Sequence, residues 1–465
     1  MKRCIPNNNV IYRINTKKRK IYAELLKWKH EQQGRTALLI EGARRLGKSY
    51  IVEEFARHEY KSYILVDFND MDDSLTDIFE HYLSNRDDFF MRLSLYFGVH
   101  LYVRDSLIIF DEVQQYPKAR AAIKYLVGDG RYDYIETGSL VSIRKNVADI
   151  VIPSEEQSLE MYPMDFEEFL WALGDDMMMD FIRQQFERQA PLSQLHRKAL
   201  DYFRLYMIVG GMPQAVLSYI ESKDFEQVDQ TKRNIVRLYR NDIQKYAVNA
   251  ETRVTAVFDG IPAQLQQHEK KFRISALRSG ARMRDYEDAF FWLDDAKVVN
   301  MCYNTTEPNI GLRMNMERTT LKCYMGDTGL LISHAFDEGT IAQNQLYRKL
   351  MLDKLEWNKG MLVENVVAQM LRAAGHKLYF YSNSNRENSQ DRMEIDFLLS
   401  KPEITNRHNI CPIEVKSTTR YTLNSLEKFR IKFAQQVATP YVLHAGDLKV
   451  GNGIVYLPLY MAGLL

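Results

Sequence analysis

The chain has 465 residues, 46% of them hydrophobic and 26% charged, and its 62 lysines and arginines nearly balance 61 aspartates and glutamates. This is ordinary globular composition, enough for two to four domains at roughly 100–200 residues each. It excludes a bulk electrostatic pull toward nucleic acid or membrane, so any such contact must come from a local patch.

The four cysteines, Cys4, Cys302, Cys323 and Cys411, lie far apart with no C-x-x-C pair. That argues against a disulfide framework or a zinc site and fits a reducing cytosol. The opening segment MKRCIPNNNVIYRINTKKRK has no apolar h-region, so no signal peptide is expected. No apolar run approaches the ~18 residues of a membrane span. The expectation is a cytoplasmic protein without membrane contact.

TALLIEGARRLGKSYIVEEFARH reads as strand, loop and helix. Ala37 to Ile40 suits a buried parallel strand, and Ile51, Val52 and Phe55 recur at helical spacing. Between them Gly42 to Ser49 fits G-x-x-x-x-G-K-S/T, in the context this motif demands. Backbone N–H groups would curl around phosphate oxygens at a helix N-terminus. Gly42, Arg45, Leu46, Gly47, Lys48, Ser49 and Tyr50 are the candidate ATP cradle. Lys48 would reach the β- and γ-phosphates, and the Ser49 hydroxyl would ligate Mg²⁺.

SLIIFDEVQQYP places Leu107 to Phe110 ahead of two acids. Asp111 is placed to hold the Mg²⁺ shell and Glu112 to polarise a water as general base. A third apolar strand, YDYIETGSL, ends in Thr137, Gly138 and Ser139, with Ser139 a candidate γ-phosphate sensor; Thr-Gly-Ser is also simple turn chemistry. ATP hydrolysis is the activity these segments support best. A small-molecule kinase also uses a P-loop, but the Asp-Glu strand end suits water activation.

The order GARRLGKS, IIFDEVQQYP, ETGS, YPMDFEEFL (162–170), VGGMPQAV (209–216), YRNDI (239–243), YMGDTGLL (324–331) and LPLYMAGLL (457–465) resembles a prokaryotic group of AAA-type P-loop ATPases joined to a C-terminal domain of unknown function. The resemblance covers nearly the whole chain. It implies an ATPase that completes its site with an arginine, in some cases from a neighbouring subunit of a homo-oligomer. The Gly-Arg pair usual before the Pro-x-x-Phe-x-Glu-Phe element is missing from IVIPSEEQSLEMYPMDFEEFL. Arg144 and Arg240 are the candidates left.

The middle of the chain reads as helices over about 156–225 that close over the ATPase core, then a different region over about 226–335. In KFRISALRSGARMRDYEDAFFWLDDAKVV, Ser275 is a candidate cap, and Tyr286, Ala289, Phe290 and Leu293 share a helix face. Helix, polar turn, helix and a Lys-Val-Val strand resemble a winged helix. Lys270, Lys271, Arg273, Arg278, Arg282 and Arg284 cluster within it as a candidate DNA contact, although a charge run is usually a solvated helix face.

In GMLVENVVAQMLRAAG, Val363, Val366, Val367, Met370 and Leu371 form a buried stripe with Glu364 at its margin. DRMEIDFLLS alternates: Met393, Ile395, Phe397 and Leu399 on one face, Glu394 and Asp396 on the other. In PIEVKS, Glu414 and Lys416 share a face. If the two strands pair, Asp396, Glu414 and Lys416 converge, with Glu364 reachable from the helix. Carboxylates can hold hard divalent ions such as Mg²⁺ or Mn²⁺, and a lysine can orient or deprotonate a metal-bound water. Helix-Glu, Asp, then Glu-x-Lys resembles the PD-(D/E)xK, restriction-endonuclease-like nucleases. That resemblance implies Glu364, Asp396 and Glu414 as metal ligands and Lys416 as catalytic. Glu414 with Lys416 could equally be a surface ion pair, and such a fold can bind without cutting.

The expected fold class is α/β: a P-loop NTPase parallel sheet with a helical lid, a winged-helix middle region and a C-terminal restriction-endonuclease-like α/β domain. The expected divisions are an ATPase core over 1–155, a lid over 156–225, a winged-helix-like region over 226–335 and a nuclease-like domain over 336–465. The leading function is a Mg²⁺-dependent AAA-type ATPase coupled to a nuclease-like domain acting on DNA or RNA. The alternative is an ATP-driven regulatory switch that recruits a protein partner, its C-terminal domain not cutting.

Overall fold

ALLIE forms a strand because four consecutive residues, Ala37 to Ile40, are apolar and covered on both faces, the signature of a central parallel strand. In the computed structural model this strand, β1 (Ala37–Glu41), sits inside a five-stranded sheet with β2 (Ser62–Asp67), β3 (Ser106–Asp111), β4 (Asp133–Gly138) and β5 (Glu156–Glu160). The order is β2-β3-β4-β1-β5 and every pairing is parallel. The residues described are 18–138, 154–337, 345–351, 359–383 and 391–465, except 268, 346, 348, 350, 402–404, 406 and 419. They divide into two units, 1–162 with 295–297, and 163–294 with 298–465.

Helices α1 (Lys20–Gln32), α2 (Lys48–Glu59), α3 (Asp73–His81), α4 (Arg86–Phe97) and α5 (Pro117–Asp129) complete the first unit. Its core is aromatic: Phe79 meets Phe89 and Phe110 edge-on, with ring centroids 5.3 and 5.8 Å apart. Each such fully buried ring is worth roughly 1.5–3 kcal/mol of transfer free energy. Backbone pairing sets β1, β3 and β4 in register, and their C-terminal ends carry the motifs.

The second unit begins with helices α6 (Phe166–Leu173), α7 (Asp176–Arg188), α8 (Gln194–Val209), α9 (Pro213–Ser222), α10 (Phe225–Tyr246), α11 (Glu251–Gln266) and α12 (Glu287–Asp295). Then come β6 (Val299–Thr305), β7 (Met316–Met325), α13 (Thr328–Ala335), α14 (Lys359–Ala373), β8 (Leu378–Asn383), β9 (Met393–Ser400), β10 (Ile410–Val415), α15 (Asn424–Lys432), β11 (Tyr441–His444), β12 (Lys449–Gly451) and β13 (Ile454–Pro458). The strands form one sheet of eight, ordered β12-β13-β11-β10-β9-β8-β6-β7. The hairpin β6–β7 is therefore part of the same sheet as the C-terminal strands, β6 running parallel to β8. The chain divides at Tyr162 because β5 pairs with β1, while the helices from Pro163 onward belong with the eight-stranded sheet.

Two local expectations need correction. Ser275 does not cap a helix but lies inside the single 3-10 turn Ile274–Ala276. The two-residue alternation of β9 breaks at a register shift opposite Tyr379 and Tyr381, so Leu398, not Phe397, joins Met393 and Ile395 in the core around Phe429. The extra residue of a bulge moves the following side chains to the other face, and the Phe397 ring stands 5.8 Å from Tyr324 instead.

Candidate functional site

The loop between β1 and α2 turns through Arg45 and Gly47 at φ of 72° and 85°. Glycine reaches this left-handed region at little cost, whereas Arg45 is held there under strain of the kind found at ligand loops. Gly42 is required by proximity, since a Cβ there would stand 2.4 Å from the Met161 carbonyl. Lys48, 7% exposed, opens α2 and donates to the Gly42 and Ala43 carbonyls, both at 3.0 Å. Burial lowers its pKa, and the nearby charges of Glu112 and Asp111 offset part of that shift. Arg19 anchors the loop, donating to the Leu46 carbonyl at 3.4 Å and the Tyr162 carbonyl at 2.9 Å.

Asp111 ends β3 beside this loop. Its Oδ1 accepts from the Ser49 hydroxyl at 2.7 Å and from the Thr137 hydroxyl at the end of β4. Burial raises the Asp111 pKa, while these two hydroxyls hold it down. Glu112 is bent to φ 53°, out of the strand direction, and accepts from the Gln114 amide. Asp67, at the end of β2 and in register with Asp111, adds a further charge that the sequence reading did not pick out. Its signal was the acid closing the run SYILVD. One hydroxyl and one carboxylate at 2.7 Å are a set of oxygen donors that fits Mg²⁺, which takes its remaining ligands from waters and phosphates. Ser139 and Arg144 lie outside the described residues. Arg240 is committed to ion pairs with Asp259 at 3.0 Å and Asp337 at 2.8 Å.

In the second unit, β9 and β10 pair antiparallel, and the Val415 N–H donates to Asp396 Oδ2 at 2.8 Å. Glu414 Oε2 and Lys416 Nζ are 2.9 Å apart. Glu364, 3% exposed on α14, faces the same cluster. All four residues expected from the sequence are thus brought together. Between them stands a residue the sequence reading missed: Lys322 on β7, 1% exposed. Its ammonium lies 3.1 Å from Glu364, 2.9 Å from Glu394 and 3.7 Å from Asp396. Lys270 pairs with Glu364 at 2.6 Å, Lys271 lies 3.8 Å from Glu394, and the Tyr324 hydroxyl donates to Glu364. The available signal was a lysine set inside the buried run LKCYM, where period two leaves no reason for a charge.

These charges set each other's protonation. Burial pulls the Glu364 pKa up, but Lys270 and Lys322 outweigh it and hold the group at about 2. Burial and the charge of Asp396 push Glu414 up to about 8 despite Lys416. Lys322 is driven well above its ordinary value, its three carboxylates outweighing burial. As placed, the cluster does not fit a divalent ion: an ammonium occupies its centre, and among the described residues no three acids, histidines or cysteines form a metal cage. Of the expected basic patch, Lys270 and Lys271 turn inward to this cluster, while Arg278, Arg282 and Arg284 are exposed.

Residues 34–170 match the AAA domain family, residues 200–339 a domain of unknown function (DUF8612), and residues 359–461 another domain of unknown function (DUF4143). No curated protein matches the chain. Among solved structures, the Orc1 protein of Aeropyrum pernix in complex with DNA is 12% identical, covering 71% of this chain and 96% of its own at a TM-score of 0.29. AMPPCP-bound DnaA from Aquifex aeolicus is 13% identical, covering 59% and 84% at 0.27. Cdc6p from Pyrobaculum aerophilum is 11% identical, covering 75% and 97% at 0.26. No helix among the described residues is long and apolar enough to cross a membrane. Residues 34–170, which match the AAA domain family, carry the all-parallel sheet and the phosphate-type loop.

Proposed function

We propose that the chain binds and hydrolyses ATP with Mg²⁺, and that its nucleotide state governs a nuclease-like C-terminal domain that engages nucleic acid. The observation that carries the ATPase reading is the junction of three strand ends. Lys48 is buried at the loop, and Ser49 and Thr137 both donate to Asp111. Lys48 would leave its carbonyl partners for the β- and γ-phosphates, which a buried ammonium favours strongly. Ser49 and Asp111 would hold Mg²⁺, which when bound neutralises phosphate charge. Glu112, turned away from the strand, would take a proton from the attacking water as it adds to the γ-phosphate, with ADP leaving.

The test is nucleotide binding and phosphate release by the full chain. Lys48→Ala should lose ATP binding, and Glu112→Gln should bind ATP but turn over at a small fraction of the wild-type rate. Normal affinity in the first variant, or normal turnover in the second, would remove that residue from its role.

For the C-terminal domain, the succession α14, β8, β9, β10, α15, β11 and the meeting of Glu364, Asp396, Glu414 and Lys416 support a PD-(D/E)xK-like fold. The exposed Arg278, Arg282 and Arg284 support a nucleic-acid contact through a winged-helix-like region. Binding without cutting, the reading of a regulatory switch, is favoured by one observation, the lysine at the centre of the carboxylates. Cleavage of single- and double-stranded DNA and RNA, with and without ATP, decides between them. Cutting that Lys416→Ala abolishes would establish a nuclease.

A further inference from the structure

We propose that Lys322 is a resident cation: its ammonium takes the place of a divalent ion among Glu364, Glu394 and Asp396, so the resting cluster binds no metal. The reading rests on the second unit alone and stands or falls apart from ATP hydrolysis.

The geometry is that of a filled cation site. Lys322 Nζ has carboxylate oxygens from three residues within 3.7 Å, contributed by helix α14 and strand β9. Its stem crosses the sheet from β7, with the ammonium 5.0 Å from the centre of the Phe380 ring on β8. The side chain is therefore packed as well as paired. A buried cation is tolerated only where opposite charge surrounds it. Here Glu364, Glu394 and Asp396 surround Lys322 directly, with Lys270 and Lys271 paired to the outer sides of Glu364 and Glu394. A divalent ion entering this set would bring two positive charges next to an ammonium that its neighbours hold firmly. It would have to displace Lys322, which is 1% exposed, from its three carboxylates.

Without the ammonium, Glu364, Glu394 and Asp396 lose their shared cation, Lys270 and Lys271 still flanking the first two, and carboxylate oxygens free to close on a hard ion are the donors that Mn²⁺ and Mg²⁺ select. Lys322→Ala is therefore expected to create a metal site where the wild type has none.

The experiment titrates Mn²⁺ into the nucleotide-free full chain, following free Mn²⁺ by electron paramagnetic resonance and the melting temperature in parallel. The proteins are the wild type, Asp396→Asn, Lys322→Ala and the double variant Lys322→Ala/Asp396→Asn. The wild type and Asp396→Asn should take up identical amounts of Mn²⁺. Lys322→Ala should take up one more ion per chain and gain melting temperature with Mn²⁺, and the double variant should lose both gains. Wild-type uptake that Asp396→Asn abolishes would overturn the proposal. So would a folded Lys322→Ala that gains no ion. Should Lys322→Ala fail to fold even with Mn²⁺, the comparison of wild type with Asp396→Asn still decides it.

Discussion

The Asp327 carboxylate accepts a hydrogen bond from the Gly211 N–H at 2.5 Å, which joins two segments that are 116 residues apart in sequence. The same carboxylate caps α13 through the Leu330 N–H at 2.9 Å. Gly211 in turn receives the Met164 N–H on its carbonyl at 2.7 Å. A Cβ at Gly211 would lie 2.1 Å from the Met164 carbonyl, and one at Gly329 would lie 2.5 Å from the Val209 carbonyl. YPMDFEEFL, VGGMPQAV and YMGDTGLL, unremarkable singly, are thus three sides of one backbone joint in the second unit. Gly211→Ala forces backbone apart and should cost roughly 1–3 kcal/mol, as overpacking typically does. Urea unfolding of wild type and variant would measure the loss. An unchanged midpoint would show that the joint yields without strain.

At the proposed nucleotide site, the Thr137 hydroxyl donates to Asp111 and accepts from the Glu112 N–H at 3.4 Å. On the proposed ATPase reading it would hold the carboxylate that orients the metal shell. Removing such a supporting bond usually costs roughly 10–100-fold in activity or metal affinity. Thr137→Val should therefore keep ATP affinity near wild type while turnover falls by about that factor. Phosphate release measured beside equilibrium nucleotide binding checks both halves.

Lys232, fully buried, donates to the Ile208 carbonyl at 2.8 Å and the Tyr347 hydroxyl at 3.1 Å. Burial lowers its pKa from 10.5 to about 8, with Asp229 and Asp327 offsetting part of the shift. The unfolded chain binds this proton more tightly than the folded one. Stability from this group is therefore full above the unfolded value and declines as pH falls toward 8, by roughly 3 kcal/mol at about 1.4 kcal/mol per unit. Lys232→Met removes the titration. The stability difference, wild type minus variant, should rise between pH 8 and pH 10 and stay flat from pH 6 to pH 7.5. A difference flat throughout would mean the amine is not buried as described.

Glu136 on β4 is fully buried beside Glu156 and Arg120. Burial raises its pKa well above the ordinary value. A raised acid stabilises the fold relative to the ionised state only at low pH, and that contribution is lost as pH rises through its folded value. Glu136→Gln should melt close to wild type at pH 5 and above it at pH 8.5. The opposite ordering would show Glu136 to be charged and needed as a charge.

The phosphate site was legible because its chemistry is local. Gly42 to Ser49 is one loop, and Asp111 with Glu112 closes one apolar run, so spacing alone carries the argument. Glu364, Asp396, Glu414 and Lys416 were legible through strand and helix periodicity. Lys322 was not, because its partners lie on β9 and α14, and β6 and β8 stand between β7 and β9 in the sheet, so neither sequence spacing nor neighbouring strands pair them. The same limit applies to β9, where a bulge overrode a clean alternation.

The pairing of β6 with β8 joins residues 299–305 to residues 378–383, on either side of the boundary between two family matches, 200–339 and 359–461. The C-terminal match is accordingly not a transplantable module. Severed at residue 340, it would leave β8 as an unprotected edge strand and Glu364 without Lys322, inviting self-association at a bared edge. The melting of the two segments should be a single event, with neither half outliving the other.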